Sequence, residues 1–220
     1  ANINEETAEI EGGVIGRYPG SKEPTGYLEE TALMALGEQL AGAGDDNGED
    51  LLVEVQDFYA SNGVTTVQDG GTSGAGLAMM RGAGKKGRLK IDIVTYPSPL
   101  ATMCPEGLEQ VIPANQDIMG TYQDHVKIGG YKILLDGSPQ GKSAWMSEPY
   151  ENSGDYCGYP WLKDEVVHAC IKRAIADNQQ LLTHCNGDAA SQQLLDIYEE
   201  ELAASDNPNK HNLRPVMIHC

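Results

Sequence analysis

The chain has 220 residues, of which 40% are hydrophobic and 22% are charged, a composition typical of a globular protein with a buried core. Its formal net charge of −18 excludes nucleic acid and anionic membranes as expected partners, because both would repel it. No apolar run approaches the roughly 20 residues that span a bilayer, and the polar N-terminal segment does not resemble a signal peptide.

Residues 1–62 are predicted to hold an irregular segment followed by two helices. Glycine and proline interrupt residues 1–25, which favours irregular structure there. Apolar residues at helical spacing predict helices over 27–40 and 49–60, with a glycine-rich loop at 42–46 between them.

Residues 63–220 are predicted to alternate short strands with helices. The strands are predicted at 64–67, 89–94, 131–135, 180–183 and 215–218. The helices are predicted at 76–81, 106–112, 163–177 and 189–204. Such alternation is typical of βαβ units around a parallel sheet, so we expect an α/β fold in one domain. Five strands fit either an open doubly wound sheet or a portion of an eight-stranded barrel.

The cysteine pattern indicates neither a disulfide framework nor a structural zinc knuckle. The number is odd, and no two cysteines form a Cys-x-x-Cys pair. Free thiols in a reducing compartment are the simplest interpretation, and we therefore expect a cytoplasmic protein. The five residues are Cys104, Cys157, Cys170, Cys185 and Cys220.

Polar residues follow several of the predicted strands. Reactive groups of parallel α/β folds collect at the C-terminal ends of strands, so these positions are candidates for a site. They are Gln68, Asp69, Lys132, Asp136, His184, Asn186, Asp188 and His219.

Lys132 lies inside an apolar strand, on the same face as Leu134 and Asp136. A lysine in a strand that is buried on both sides is costly unless it is paired or modified. Two interpretations are open. The amine pairs with Asp136 or another acid, or it becomes a metal ligand after carboxylation by carbon dioxide.

His184 and His219 each follow an apolar strand. A single histidine in such a position is usually structural. Two of them at the ends of neighbouring parallel strands could converge on one metal, since neutral imidazole is a common zinc ligand.

Residues 136–143 offer a competing interpretation, because they follow a strand and end in Gly-Lys-Ser like a phosphate-binding loop. Only three residues separate Gly137 from Gly141, where such a loop needs four. One of the three is Pro139, which has no N–H to offer a phosphate. A nucleotide-binding domain is therefore an alternative, although these residues match the phosphate-binding loop poorly.

Together, five segments in a fixed order resemble the amidohydrolase superfamily. The resemblance is to amidohydrolase family 3, which includes N-substituted formamide deformylases, and it covers most of the chain. The segments are residues 24–30, 63–70, 132–141, 184–190 and 218–220.

The resemblance implies that residues 1–220 are a central portion of a (β/α)8 barrel, in which 63–220 supply βα units. The fold class is thus a partial TIM-type (β/α) barrel of the metal-dependent hydrolase kind. By resemblance, Lys132, His184 and His219 are ligands of zinc or another divalent metal, and Lys132 is a candidate for carboxylation.

Other residues would orient those ligands or contact substrate by the same resemblance. They are Gln68, Asp69, Asp136, Ser138, Asn186 and Asp188. For Asp188 an alternative stays open, in which residues 186–188 form a turn and a helix N-cap.

The implied activity is metal-assisted hydrolysis of non-peptide carbon–nitrogen bonds in a small-molecule substrate, such as an amide or a formamide. The family's His-x-His pair and general-base Asp have no counterpart in these residues. We therefore expect the chain alone to be inactive and to bind zinc weakly or not at all. A non-catalytic α/β module is the other alternative, and the open edges of a partial barrel favour a homo-oligomer.

Overall fold

The computed structural model describes residues 3–34, 47–98 and 106–220. Part of the first predicted helix, over 35–40, lies outside the described residues. The predicted loop at 42–46 and Cys104 lie outside them as well.

The chain begins with an antiparallel hairpin of strands β1 (Gly13–Arg17) and β2 (Pro24–Glu30). The prediction that residues 1–25 are irregular and that a helix starts at 27 is therefore wrong. Helical residues begin only at 31. The reason is that Leu28, assigned to the apolar face of a helix, pairs instead with Ile15, which is buried. Cross-strand pairing prevails here over helical spacing.

Strands and helices then largely alternate as predicted, with shifted boundaries and one strand, Val126–Ile128, that was not predicted. The strands are β3 (Thr66–Thr72), β4 (Asp92–Pro97), β5 (Val126–Ile128), β6 (Gly130–Leu134), β7 (Gln180–Cys185) and β8 (Val216–His219). The helices are α1 (Gly48–Ser61), α2 (Gly74–Lys85), α3 (Glu106–Val111), α4 (Asp164–Ala176) and α5 (Asp188–Ala204). Short 3-10 turns cover Pro113–Ile118, Pro139–Gly141 and Lys210–Asn212.

The strand order confirms the predicted fold class. Strands β3, β4 and β5 form one parallel sheet, and β6, β7 and β8 form another. Neighbours in space are neighbours in sequence, without the reversal of order that marks a doubly wound sheet. This is the arrangement of a partial TIM-type fold.

Only Gly129 separates β5 from β6, so residues 126–134 form one strand shared by the two sheets. Its first part pairs with β4 and its second part with β7. Val126 and Ile128 join the core beneath the helices, and so do Tyr131 and Ile133. The alternation therefore shifts by one residue at the two glycines, which is the effect of a β-bulge.

The close approach of the neighbouring strand explains why glycine is required at this shift. A Cβ atom on Gly130 would lie 2.0 Å from the carbonyl oxygen of Gln180. A Cβ on Gly129 would lie 2.6 Å from Cγ1 of Val94. Downstream of the shift, Lys132 and His184 lie on the sheet face turned away from the helices, which we call the inner face.

Helices α4 and α5 pack their apolar stripes against the opposite face of the sheet. In both helices the buried residues recur at three- and four-residue spacing, as expected for one face of a helix. In α4 they are Val167, Cys170, Ile171, Ala174 and Ile175, and in α5 they are Ala190, Gln193, Leu194, Ile197 and Tyr198.

The cysteines depart in part from the expectation of free thiols. Cys157, Cys185 and Cys220 are free, as expected. Cys170 is disulfide-bonded, so the expectation is wrong for that residue. Across the described ranges, no helix combines the length and the apolar character needed to cross a membrane.

Candidate metal centre at the strand ends

The three predicted metal ligands lie on three adjacent strands. Lys132 is on β6, His184 is near the end of β7, and His219 is the last residue of β8. In the parallel register Lys132 is level with Leu182, and Leu134 is level with His184. Lys132 and His184 therefore share the inner face, with His184 nearer the C-terminal end.

The imidazole rings of His184 and His219 meet edge to face, with centroids 4.7 Å apart and planes at 76°. The structure thus brings together the two histidines that the sequence placed on neighbouring strands. His219 has a φ of 79°, in the left-handed region that is uncommon for residues other than glycine.

Asn186 and Gly137 fix the orientation of the His184 ring. The amide nitrogen of Asn186 donates to the carbonyl oxygen of Gly137 at 2.8 Å and lies 3.0 Å from Nε2 of His184. The contact holds the Nε2 edge of the ring against Asn186 and Gly137. Nε2 also lies 3.4 Å from the Gly137 oxygen.

Burial lowers the pKa of His184 below its usual value. The Gly137 carbonyl and the Asp136 carboxylate oppose this shift. The charges of His219 and Lys132 reinforce it. At neutral pH the ring is therefore an uncharged imidazole, which is the form that binds metals.

Asp136 is fully buried and anchors the segments around the strand ends. Its Oδ1 accepts from the backbone N–H of Asn186 at 2.9 Å, and its Oδ2 accepts from those of Gly187 at 2.7 Å and Trp145 at 2.9 Å. Oδ1 also lies 3.5 Å from Nε2 of His184. The carboxylate thus ties the loop after β6 to the turn after β7, next to Nε2 of His184.

Lys132 is only 7% exposed, and within the described residues it makes no hydrogen bond or ion pair. The pairing with Asp136 considered above is not observed, because that carboxylate is bonded to backbone N–H groups instead. Burial lowers the pKa of the Lys132 amine to about 8, and the nearby Cys185 thiol opposes the shift. A neutral amine is the form that can react with carbon dioxide.

Removing this buried cation is expected to stabilise the metal-free protein at neutral pH. Between about pH 8 and about pH 10.5 the unfolded chain binds more protons at this position than the folded chain, so stability rises with pH. Below that window, Lys132→Met should therefore exceed the wild type by about 3 kcal/mol in the free energy of unfolding, and near pH 10.5 the gap should close. Urea denaturation at both pH values measures this, with the exposed Lys172→Met as control. Equal stability of Lys132→Met and wild type at neutral pH would contradict it.

The other predicted residues lie apart from the two histidines. Gln68 and Asp69 are on β3, where Gln68 is exposed and Asp69 accepts from the Gly71 N–H at 3.4 Å. Ser138 is exposed in the loop after β6. Asp188 accepts from the backbone N–H of Ser147 at 2.8 Å and also from its hydroxyl, which holds the pKa of its carboxyl below the usual range.

Asp188 lies in the first turn of α5, and the N-cap position itself belongs to Gly187. Its carboxylate ties the loop after β6 to the start of that helix. Within the described residues, no contact joins Asp188, Ser138 or the two β3 residues to the histidine rings.

The loop at 136–143 does not form a phosphate cradle. The backbone N–H groups of Gly137, Ser138, Gly141, Lys142 and Ser143 are all bonded within the loop. A phosphate-binding loop must leave such groups free to face the anion and must lead into a helix. Here a 3-10 turn follows, and the next helix begins only at Asp164.

Two contacts near the histidines escaped the sequence analysis. The Trp161 ring lies parallel to that of His184, with centroids 6.4 Å apart and planes at 18°. The carboxylate of Glu30 accepts from the Ser143 hydroxyl, and a Cβ on Gly137 would lie 2.1 Å from Glu30 Oε1. Glu30 is inside a segment that carried the resemblance, but nothing in the spacing of Trp161 pointed to the site.

The donor set fits part of a metal centre. Two adjacent imidazoles and a buried amine without a partner are present, and nitrogen ligands suit zinc and other divalent transition metals. Among residues 3–34, 47–98 and 106–220, no three His, Cys, Asp or Glu side chains group so as to hold a metal. His184 and His219 are the two adjacent nitrogen donors at these strand ends, and Lys132 lies on the same sheet face as His184.

Comparisons with known proteins agree with this architecture. The sequence profile described as "Amidohydrolase family" matches residues 1–220. A metal-dependent hydrolase from Pyrococcus horikoshii OT3, known from its crystal structure, superposes with a TM-score of 0.65 at 18% identity, over 92% of this chain and 43% of that one.

Two curated proteins are also similar. Exoenzymes regulatory protein AepA of Pectobacterium carotovorum is 25% identical over 177 residues, or 80% of this chain. Putative amidohydrolase YtcJ of Bacillus subtilis is 27% identical over 96 residues, or 44% of this chain. The chain spans 37% of the first relative's length, and the match to the second covers 17% of that protein.

Proposed function

Because the chain belongs to the amidohydrolase family, we propose that it supplies part of the metal centre of a hydrolase that cleaves non-peptide carbon–nitrogen bonds. The observation that carries this proposal is the meeting of His184 and His219 at the ends of neighbouring parallel strands. Small-molecule amides are the proposed substrates, with N-substituted formamides as the narrower class.

A divalent metal bound by His184, His219 and a carboxylated Lys132 would activate water and polarise the substrate carbonyl. The chain's own residues prepare the ligands. Burial keeps His184 uncharged, and Asn186 holds its ring in position. Asp136 keeps Asn186 in place through the backbone N–H.

We propose that the remaining ligands and the general base come from outside these 220 residues. A carboxylate in that role would take a proton from water and deliver it to the leaving amine. On this proposal the chain alone binds zinc weakly and does not turn over substrate.

The test compares the 220-residue chain with the longest protein that its gene encodes. Both are loaded with zinc, dialysed against a chelator and assayed for amine release from a panel of N-substituted formamides and acetamides. We expect retained metal and turnover in the longer protein, and neither in the shorter chain. A longer protein that is folded and metal-loaded yet inactive on the whole panel would overturn the proposal and favour a non-catalytic module.

A further inference from the structure

The indole of Trp161 carries a hydrogen-bond donor for which the described residues provide no acceptor. The side chain is almost entirely buried, with the residue 4% exposed, and its Nε1 has no hydrogen-bond partner there. A buried donor without an acceptor costs about 1–3 kcal/mol, and tryptophan N–H groups usually find a partner when buried. A buried donor without a partner therefore needs an explanation, and a bound ligand that supplies the acceptor is one explanation.

Trp161 lies against the candidate centre. Its ring stacks on His184 with centroids 6.4 Å apart and planes at 18°. It follows a long connection that starts at the end of β6 and is tied to Asp136 through the backbone of Trp145. A molecule that approaches His184 therefore comes close to the indole.

The backbone of Trp161 is held on two sides. Its N–H donates to the carbonyl oxygen of Leu135 at 2.7 Å, directly after β6. On the other side Gly12 packs so closely that a Cβ there would lie 2.6 Å from the Trp161 carbonyl oxygen. The backbone that carries the indole is therefore held in place before any ligand arrives, which reduces the entropic cost of ordering this residue.

We propose that Trp161 donates its indole N–H to the carbonyl oxygen of the amide substrate. An indole N–H can donate but not accept, so it selects an acceptor oxygen rather than the amine portion of the substrate. The inference rests on the proposed function, because it places the substrate beside His184. A donor aimed at an oxygen that gains negative charge during hydrolysis contributes more in the transition state than in the ground state.

The kinetic test uses the full-length protein with two substitutions. Trp161→Phe keeps an aromatic ring over His184 and removes only the N–H. We expect it to lower kcat/KM by about 10- to 100-fold, mostly through kcat. Trp161→Ala removes the ring as well and should lower kcat/KM further. If Trp161→Phe matches the wild type, stacking alone explains the residue and the proposal fails.

A binding test reads the N–H directly and does not depend on turnover. The chain has two tryptophans, so 15N-labelled protein gives two indole resonances, assigned with Trp161→Phe and Trp145→Phe. On titration with N-methylacetamide, the Trp161 indole proton should move downfield while that of Trp145 stays in place. An unmoved Trp161 resonance, or equal movement of both, would overturn the proposal.

The two tests separate this inference from the proposed function. If the wild type hydrolyses no amide, the titration still reports whether the indole binds a carbonyl. If His184→Ala is inactive while Trp161→Phe has wild-type kcat/KM, the result supports the proposed function and contradicts the proposed role of Trp161. Thermal melts of both Trp161 variants show whether any loss of activity reflects unfolding instead.

Discussion

Replacing His184 or His219 by alanine in the full-length protein is expected to abolish hydrolysis while leaving the protein folded. The two ring centroids lie 4.7 Å apart, so on the proposed function the two side chains are neighbouring metal ligands. Loss of a ligand changes the metal itself, and even residues that merely support ligands cost 10- to 100-fold when removed. We therefore expect a fall of at least about 100-fold in kcat/KM, together with loss of bound metal.

The controls address the backbone and the histidine content. His219 has a φ of 79°, and asparagine tolerates that region better than alanine. His219→Asn should therefore fold as well as the wild type and still lose metal. His211→Ala, in the exposed 3-10 turn Lys210–Asn212, should keep both metal and turnover. Elemental analysis and amine release measure the two properties, and near-normal turnover in either ligand variant would remove that residue from the centre.

Asp136→Ala is expected to lower the free energy of unfolding by about 3 kcal/mol, because one buried and two partly buried N–H groups lose their acceptor and each costs on the order of 1 kcal/mol. Those groups belong to Trp145, Asn186 and Gly187. Asp136→Asn keeps one acceptor oxygen, so its free energy of unfolding should lie between those of Asp136→Ala and the wild type. Urea denaturation measures the difference.

Limited proteolysis locates the effect of the Asp136 substitution. Cleavage should appear first between β6 and α4, since Asp136 fastens that connection to the turn after β7. Asp155→Ala, an exposed change in the same connection, is the control and should leave both stability and cleavage unchanged. Wild-type stability in Asp136→Ala would show that the three N–H groups find other acceptors.

The periodic elements could be predicted because their burial is local and regular. The buried stripe of α4 is visible as three- and four-residue spacing, and β7 as a short apolar run. The hairpin could not be predicted, because the partner of Leu28 is Ile15, thirteen residues away. The intervening sequence contains no strand-like alternation. The spacing of apolar residues within one short stretch of sequence contains no information about that pairing.

The candidate site was predictable at the level of strands and not at the level of contacts. The positions of His184 and His219 after apolar runs indicated that they could converge, and their rings do meet. The state of Lys132 depended on whether Asp136 was already occupied, and that is decided by backbone N–H groups from two distant segments. Trp161 reaches His184 across a long connection whose path no spacing rule describes.

The glycine pair between β5 and β6 affects how ligands can be assigned across relatives. If the strand alternated strictly through Gly129 and Gly130 without a shift, Ile133 would take the inner face and Lys132 would turn toward the helices. An alignment that opens a one-residue gap on either side of the pair can therefore match the lysine to a residue of opposite orientation, although the flanking sequence looks unchanged. At identities near 25%, such gaps are easily misplaced. Counting residues from the bulge, instead of from the nearest aligned motif, identifies which side chain of this strand lies on the inner face.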